Sequence, residues 1–497
     1  MIVNSRTKSE EFSTIDFGDI DGLYDKNLYR YFLDENYWEN IVEKDVFFVI
    51  GRKGTGKSAI YNWIYSQQSN RGALVSNLSF KEFPFEKLLK LSDDNFSKPN
   101  QYQSIWRNII LSEIAKQIVT DSTSIVDTAF KQIKNYVDHV FGKDIKDVHK
   151  QITLGTSKTA NGLKFHGEHM HEKTEQINYS DGFDNITKVN RMLYETIVAY
   201  LKVNSINRYI VQFDQLDDNY TAYTNTDSYF QALISLFKTI YDIDQSFRGM
   251  DIPVKAIAYL RSDIFNSFNN YDAESARWDQ FKYFLNWSIV NRTDWNNPRL
   301  LQLINKRITN SIPKLENTNA FSDYFFNQQN IYILENGNAQ QVFKYIIHRT
   351  FHRPRDFMQF CIKIQQELNQ NKRLDYRTIL NAEKEYSLWL LSEVANELSP
   401  KVKSLDSLYE LLRLFGRNTF SITDFKSKYT RYEGEIMLDS EKLLKLLYSF
   451  GLIANVNYSS RERRTHASLI KKSANPLSEA LLENCHENAT IPTGKWM

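Results

Sequence analysis

The eight residues Gly51-Arg-Lys-Gly-Thr-Gly56-Lys57-Ser58 spell G-x-x-x-x-G-K-S and constrain the fold more than any other feature of the chain. Glycines at 51, 54 and 56 let the backbone curl so that successive N–H groups point inward. A helix begun at the lysine turns its positive dipole end to the same point. Such a concavity suits the phosphates of a nucleoside triphosphate. Lys57 would reach the β- and γ-phosphates, the Ser58 hydroxyl would ligate Mg²⁺, and Thr55 and Ala59 complete the cofactor-binding set. The loop needs a strand before it and a helix after it. Asp45-Val-Phe-Phe-Val-Ile50 is an apolar run readable as a buried strand, and Ser58 to Tyr65 carries apolar residues on one helical side.

Further strand and helix signals alternate along the chain. Gly72 to Leu78, Tyr209 to Phe213 and Pro253 to Leu260 read as strands; Gln101 to Asp121, Phe183 to Asn204 and Ser228 to Phe247 read as helices. Alternation of this kind around a phosphate loop predicts an α/β fold, a P-loop NTPase parallel sheet flanked by helices. Four regions are expected: a helical lead-in over 1–44 beside the nucleotide, a core over 45–270, a nearly all-helical lid over 271–395, and a final module over 396–497. The core is expected to carry an insertion over about 122–182, with a hairpin at Asn161-Gly162. His166, His169 and His171 follow that hairpin. In a strand His166 would point away from the other two, and only Glu168 or His149 is near as a further ligand. An exposed hairpin meeting a subunit or nucleic acid is therefore favoured over a zinc site.

Composition narrows the function classes. A net charge of +2 over 497 residues excludes a wholly basic nucleic-acid coat. Cys361 and Cys485 are the two cysteines, in no metal-like spacing; Cys361 reads as a small core residue. With no signal-like apolar start and no run of about 18 apolar residues, a cytoplasmic protein without a membrane span is expected.

The catalytic set follows from the strand ends. Asp214 closes the strand Tyr209–Phe213, beyond which ligands of an open parallel sheet gather, so it is placed to hold Mg²⁺ with Ser58. The next position is Gln215, whose amide can orient water but cannot take its proton. Asp217 and Asp218 are the remaining carboxylates, with Asp217 preferred for polarising water. Slow hydrolysis is the consequence. Arg261, after the strand ending at Leu260, could touch the γ-phosphate. Arg353 and Arg355 open a helix with a core stripe of Phe357, Phe360, Cys361 and Ile364. They read either as partners of acidic neighbours or as phosphate sensors in the cofactor set. Arg277 and Arg307 are weaker candidates for an arginine finger.

Gly-Arg-Lys-Gly-Thr-Gly-Lys-Ser-Ala, Phe-Asp-Gln-Leu-Asp-Asp, Tyr-Leu-Arg-Ser-Asp-Ile-Phe and Arg-Pro-Arg-Asp-Phe occur in that order. In this the chain resembles bacterial P-loop ATPases related to the STAND and origin-recognition branch of AAA+ proteins, with KAP ATPases as cousins. The resemblance implies an ATPase core using ATP and Mg²⁺, a helical lid with a sensor arginine, a C-terminal winged helix, and a homo-oligomeric switch. It also implies an effector partner and a setting in anti-phage defence. Gln215 and the insertion depart from the pattern.

The last hundred residues read as a winged helix on their own pattern. Leu405, Leu408, Leu412 and Phe415 share a helical face closed by Gly416; Asp439 or Ser440 caps Glu441 to Phe450. Strands at 452–458 and 466–470 would flank a turn with Arg461, Arg463 and Arg464, near Lys471 and Lys472. That basic wing could bind the DNA backbone. Lys442 and Lys445 equip the recognition helix poorly for base readout. An ATP-hydrolysing switch acting with a partner, with or without DNA, thus stands beside a non-hydrolysing ATP-binding scaffold and, more weakly, a winged-helix transcription regulator.

Overall fold

The computed structural model describes residues 5–81, 100–142, 183–204, 207–217, 226–273, 275–289, 295, 297–316, 318–327, 333–335, 338–371, 373–415, 419–455 and 488–490. The chain divides into two units, one of residues 34–285 and one combining 1–33 with 286–497.

The N-terminal segment therefore differs from the expected lead-in beside the nucleotide. Its helices α1 (Ser5–Ser13) and α2 (Leu28–Tyr31) belong to the unit with the helical residues downstream. The reason is aromatic burial: the ring of Phe12 packs edge-on against Phe325 and Phe326, at 5.1 and 5.6 Å.

The unit of residues 34–285 is built on five strands: β1 (Phe48–Gly51), β2 (Ala73–Ser79), β3 (Arg208–Asp214), β4 (Val254–Arg261) and β5 (Lys282–Leu285). All pair in parallel, in the order β2-β3-β4-β1-β5. Between them run α3 (Lys57–Ser66), α4 (Gln103–Thr120), α5 (Thr128–Phe141), α6 (Phe183–Asn204), α7 (Thr226–Arg248) and α8 (Ser262–Ser267). Burial on both faces accounts for the mostly apolar character of β1 and β3. Side-chain alternation then assigns the faces. Val211 and Phe213 of β3 join the core that includes Trp106 of α4, whose ring meets Phe213 edge-on at 6.2 Å. Gln212 turns the other way and donates to the Tyr61 carbonyl of α3 at 3.1 Å. On β1, Phe48 stacks on Phe237 of α7 with centroids 3.8 Å apart.

Two further expectations change here. Residues 271–395 are not nearly all helical, because β5 completes the sheet beside β1 and a hairpin forms from β6 (Ile333–Glu335) and β7 (Asn338–Gln340). β5 is a four-residue edge strand in which only Leu285 is buried, so it has no period for a sequence reading to detect. The stretch from 122 is not all insertion either: α5 buries Phe130, Ile133, Tyr136, Val137 and Phe141 in the core of this unit. The Asn161-Gly162 hairpin and the histidines at 166, 169 and 171 lie outside the described residues, as do His149, Glu168 and Asp218.

In the second unit α9 (Arg299–Ser311), α10 (Val342–Arg349), α11 (Pro354–Asn371) and α12 (Tyr376–Leu398) form a helical body on which α1 packs against α11. Cys361 is fully buried in the α11 stripe with Phe357, Phe360 and Ile364. Beyond it lie α13 (Leu405–Arg413), α14 (Ile422–Tyr429), α15 (Glu433–Ile436) and α16 (Ser440–Ser449), the last capped by Asp439. A three-stranded antiparallel sheet of β8 (Thr419–Ser421), β9 (Ala454–Asn455) and β10 (Asn488–Thr490) runs in the order β8-β10-β9. Gly416, Cys485, the expected strand at 466–470 and the basic residues Arg461, Arg463, Arg464, Lys471 and Lys472 lie outside the described residues. Among the described residues no helix is long and apolar enough to cross a membrane.

Phe237 has no exposed surface and touches Phe48, Phe268 and Trp278. Replacing it with alanine should destabilise the sheet unit by about 3–5 kcal/mol, read as a lower denaturant midpoint for that unit. A loss below about 1 kcal/mol would mean the site collapses and the ring cluster is not a cornerstone of the core.

Candidate functional site

Parallel pairing brings the C-terminal ends of all five strands to one edge, and the order of strands decides which ends are neighbours. β4 lies between β1 and β3, with Arg261 in register with Gly51. From β1 the chain crosses toward β2 at one edge; from β4 it crosses toward β5 at the other. The crevice between the ends of β1 and β4 is thus where connections depart in opposite directions, the position at which open parallel sheets accept ligands.

The glycine loop fills that crevice. Gly51 ends β1, and a Cβ there would come within 2.5 Å of the Thr55 Oγ1 and 3.1 Å of the Leu285 Cβ, so close approach forbids a side chain. Gly56 has open space around it but a φ of 97°, and Gly54 has a φ of 80°, both in the left-handed region that favours glycine. The Thr55 hydroxyl donates to the Arg52 carbonyl at 2.8 Å and fixes the turn. α3 starts at Lys57 with no side-chain cap hydrogen bond at its N-terminus. Ser58 and Ala59, half-buried, follow in its first turn. Lys57 folds back, its ammonium donating to the carbonyls of Gly51 at 3.1 Å and Arg52 at 3.3 Å. Burial pulls its pKa down, while Asp217 and then Asp214 favour the charged form.

Asp214 stands at the end of β3, on the α3 face, with 2 % of its surface exposed. The Ser58 hydroxyl and the Gln215 backbone approach it, while its Oδ2 has no hydrogen-bond partner among the described residues. Burial raises its pKa from 3.8 to about 6, against the opposing pull of Ser58, Gln215 and Lys57. Gln215 follows with φ of 60°, an uncommon conformation for a residue with a Cβ, costing about 1–2 kcal/mol. Its side-chain oxygen accepts from the Ser79 hydroxyl at the end of β2. Arg261 forks onto Asp263, Nε to Oδ1 at 3.0 Å and Nη2 to Oδ2 at 2.9 Å, and lies 3.7 Å from Asp217.

The structure therefore gathers Gly51, Gly54, Thr55, Gly56, Lys57, Ser58, Asp214, Gln215, Asp217 and Arg261 within one unit. It does not bring Arg353 and Arg355 into that unit. Arg353 is buried between α11 and α12, bonded to Asp356 at 2.8–3.0 Å and to Glu397 at 2.9 Å, and those carboxylates hold its pKa high against burial. Arg355 pairs with Glu393 at 3.3 Å. Of the two readings left open by the sequence, these contacts match partnership with acidic neighbours. Arg307 is likewise buried, 3.7 Å from Asp25 and over the Tyr31 ring, and Arg277 lies over Tyr241 and Trp278.

Five residues at or behind the site escaped the sequence reading. Asp263 and Ser79 grip Arg261 and Gln215. Gln212, fully buried, bonds Asn77 at 2.8 Å and accepts from the Tyr259 hydroxyl. Gln212 alone left a signal, a polar residue inside an apolar strand.

Residues 298–395 match the FunZ-associated C-terminal helical domain. The match covers α9 to α12 and the β6–β7 hairpin, a minority of the chain, and stops before α13. No curated relative matches the chain.

Because the folded-state pKa of Asp214 lies above its ordinary value, the folded protein binds more protons than the unfolded chain between about pH 4 and pH 6. Stability is thus lost as pH rises through that window. Asp214→Asn should raise the stability of the protein by about 2–3 kcal/mol at pH 7.5 and leave it unchanged near pH 3.5. Equal unfolding midpoints of the two proteins at pH 7.5 would show that Asp214 carries no such burden.

Proposed function

We propose that the chain binds ATP with Mg²⁺ in the loop between β1 and α3 and works as a slow, switch-type ATPase of P-loop kind. The observation that carries this reading is the meeting of Ser58 and Asp214 beside Lys57, in the crevice where Gly51 faces Arg261. The donor set fits the ion. Ser58 and Asp214 would supply two hard oxygens to it, and the Oδ2 of Asp214 has no hydrogen-bond partner among the described residues. When bound, the ion would neutralise the β- and γ-phosphates for attack by water.

The protein's own residues then divide the work. The loop amides and the start of α3 bind phosphate oxygens, and Lys57 exchanges its two carbonyl partners for the β- and γ-phosphates. Arg261 meets the terminal phosphate. Asp217, close to Arg261 and acting on Lys57, polarises the attacking water. Gln215 orients that water without accepting a proton, which makes turnover slow. The non-hydrolysing scaffold remains as the second reading on that same observation: the residue after Asp214 is an amide already engaged by Ser79. The resemblance extends the proposal to a cytoplasmic homo-oligomer with a helical lid and a C-terminal winged helix, acting with an effector in anti-phage defence. DNA contact through the basic wing and a role in transcription rest on residues outside those described.

Lys57→Ala should weaken MgATP binding by roughly ten- to a hundred-fold, measured by titration with a fluorescent ATP analogue. Equal affinities would remove the nucleotide site. Asp217→Asn should slow turnover by roughly a hundred-fold, and an unchanged rate would take Asp217 out of water activation. Wild-type turnover no faster than that of Lys57→Ala, with binding intact, would leave the scaffold reading standing.

A further inference from the structure

The guanidinium assigned to the terminal phosphate is already occupied. Asp263 meets Arg261 through two parallel N–H···O bonds of 3.0 and 2.9 Å, the same fork that guanidinium offers a phosphate. Asp217 stands behind at 3.7 Å. Among the described residues the cluster holds two cations, Lys57 and Arg261, against three carboxylates, Asp214, Asp217 and Asp263. Asp214 and Asp217 have roles in the reading above; Asp263 has none.

We propose that Asp263 is a positioning residue that competes with the terminal phosphate of a bound triphosphate for Arg261, so that it lowers the preference of the site for ATP over ADP. The inference rests on the nucleotide-binding reading and adds a residue to it. Its physical basis is the contrast with Arg353. There the side chains are 2 %, 0 % and 5 % exposed for Arg353, Asp356 and Glu397, so no member can leave without stranding a buried charge. Here Asp263 keeps 24 % of its side chain in solvent and Arg261 12 %. Asp263 also lies in the first turn of α8, where a carboxylate is favoured with or without a partner. Losing the guanidinium therefore leaves Asp263 hydrated, and the pair can open. A ligand without the terminal phosphate has nothing to offer Arg261 and leaves the pair closed. The cost of opening falls on ATP alone.

The test is the ratio of ADP to ATP dissociation constants, each measured with Mg²⁺, for wild type, Asp263→Asn, Arg261→Gln and the double variant. Asp263→Asn should tighten ATP and leave ADP unchanged, raising the ratio on the order of ten-fold. Asp263→Glu should return it toward wild type. In the Arg261→Gln background Asp263→Asn should change nothing, because the group competed for is gone. Asp263→Ser serves as a second neutral variant if the amide fails to fold. Equal changes for both nucleotides, or a shift that survives in the Arg261→Gln background, would overturn the proposal. Wild type binding ATP with no shift in ratio removes only the role of Asp263. Wild type binding neither nucleotide removes the reading of the site, and this inference with it.

Discussion

The approach of the Ser58 hydroxyl to the Asp214 carboxylate joins the two parts of the site that the chain must assemble from far apart. One end belongs to the first turn of α3, the other to the last residue of β3, and more than a hundred residues separate them. The carboxylate is almost wholly removed from water, so its charge is tolerated only because of what surrounds it: this hydroxyl, the Gln215 amide and the Lys57 ammonium. The glycine loop and β3 can meet in this way because β4 sits between β1 and β3 and spaces them. Arg261 arrives opposite Gly51 by the same pairing. Loop, acid and arginine are thus positioned by one sheet.

Arginines serve two different ends in this protein. Arg353 is locked among carboxylates in a solvent-free core, where the desolvation of each charge makes the triad an all-or-none brace for α11 and α12. Arg261 is held by equally short bonds but within reach of water, which turns a similar geometry into one that can be exchanged. Burial, not bond length, separates brace from latch.

The strands β1 to β4 and the helices α3, α4, α6 and α7 were legible because their periodic or mostly apolar patterns reflect burial on one or both faces, and the glycine loop was legible from its residue types and spacing. β5 was not: four residues with one buried side chain carry no period, and only pairing with β1 makes them a strand. α5 carries a helical stripe of Phe130, Ile133, Tyr136, Val137 and Phe141, but that pattern says only that one face is buried; packing against α4 and α6 is what places it in the core of this unit rather than in an insertion. The assignment of the first 33 residues to the helical unit depended likewise on the rings around Phe12, contacts made across some three hundred positions.

Sequence alone determined the local chemistry: a glycine loop able to curl around an anion, a lysine and a hydroxyl at its helix start, an aspartate at a strand end, and an amide directly after it. These are properties of residue type and spacing, set by backbone sterics and by side-chain charge. Tertiary structure alone decided who meets whom. It brought Ser58 to Asp214, turned Gln215 to Ser79, closed Asp263 on Arg261, and drew Arg353 into a core with Asp356 and Glu397. The reason is that the charge state and freedom of each group follow from desolvation and from its neighbours, and both are fixed only when distant segments pack.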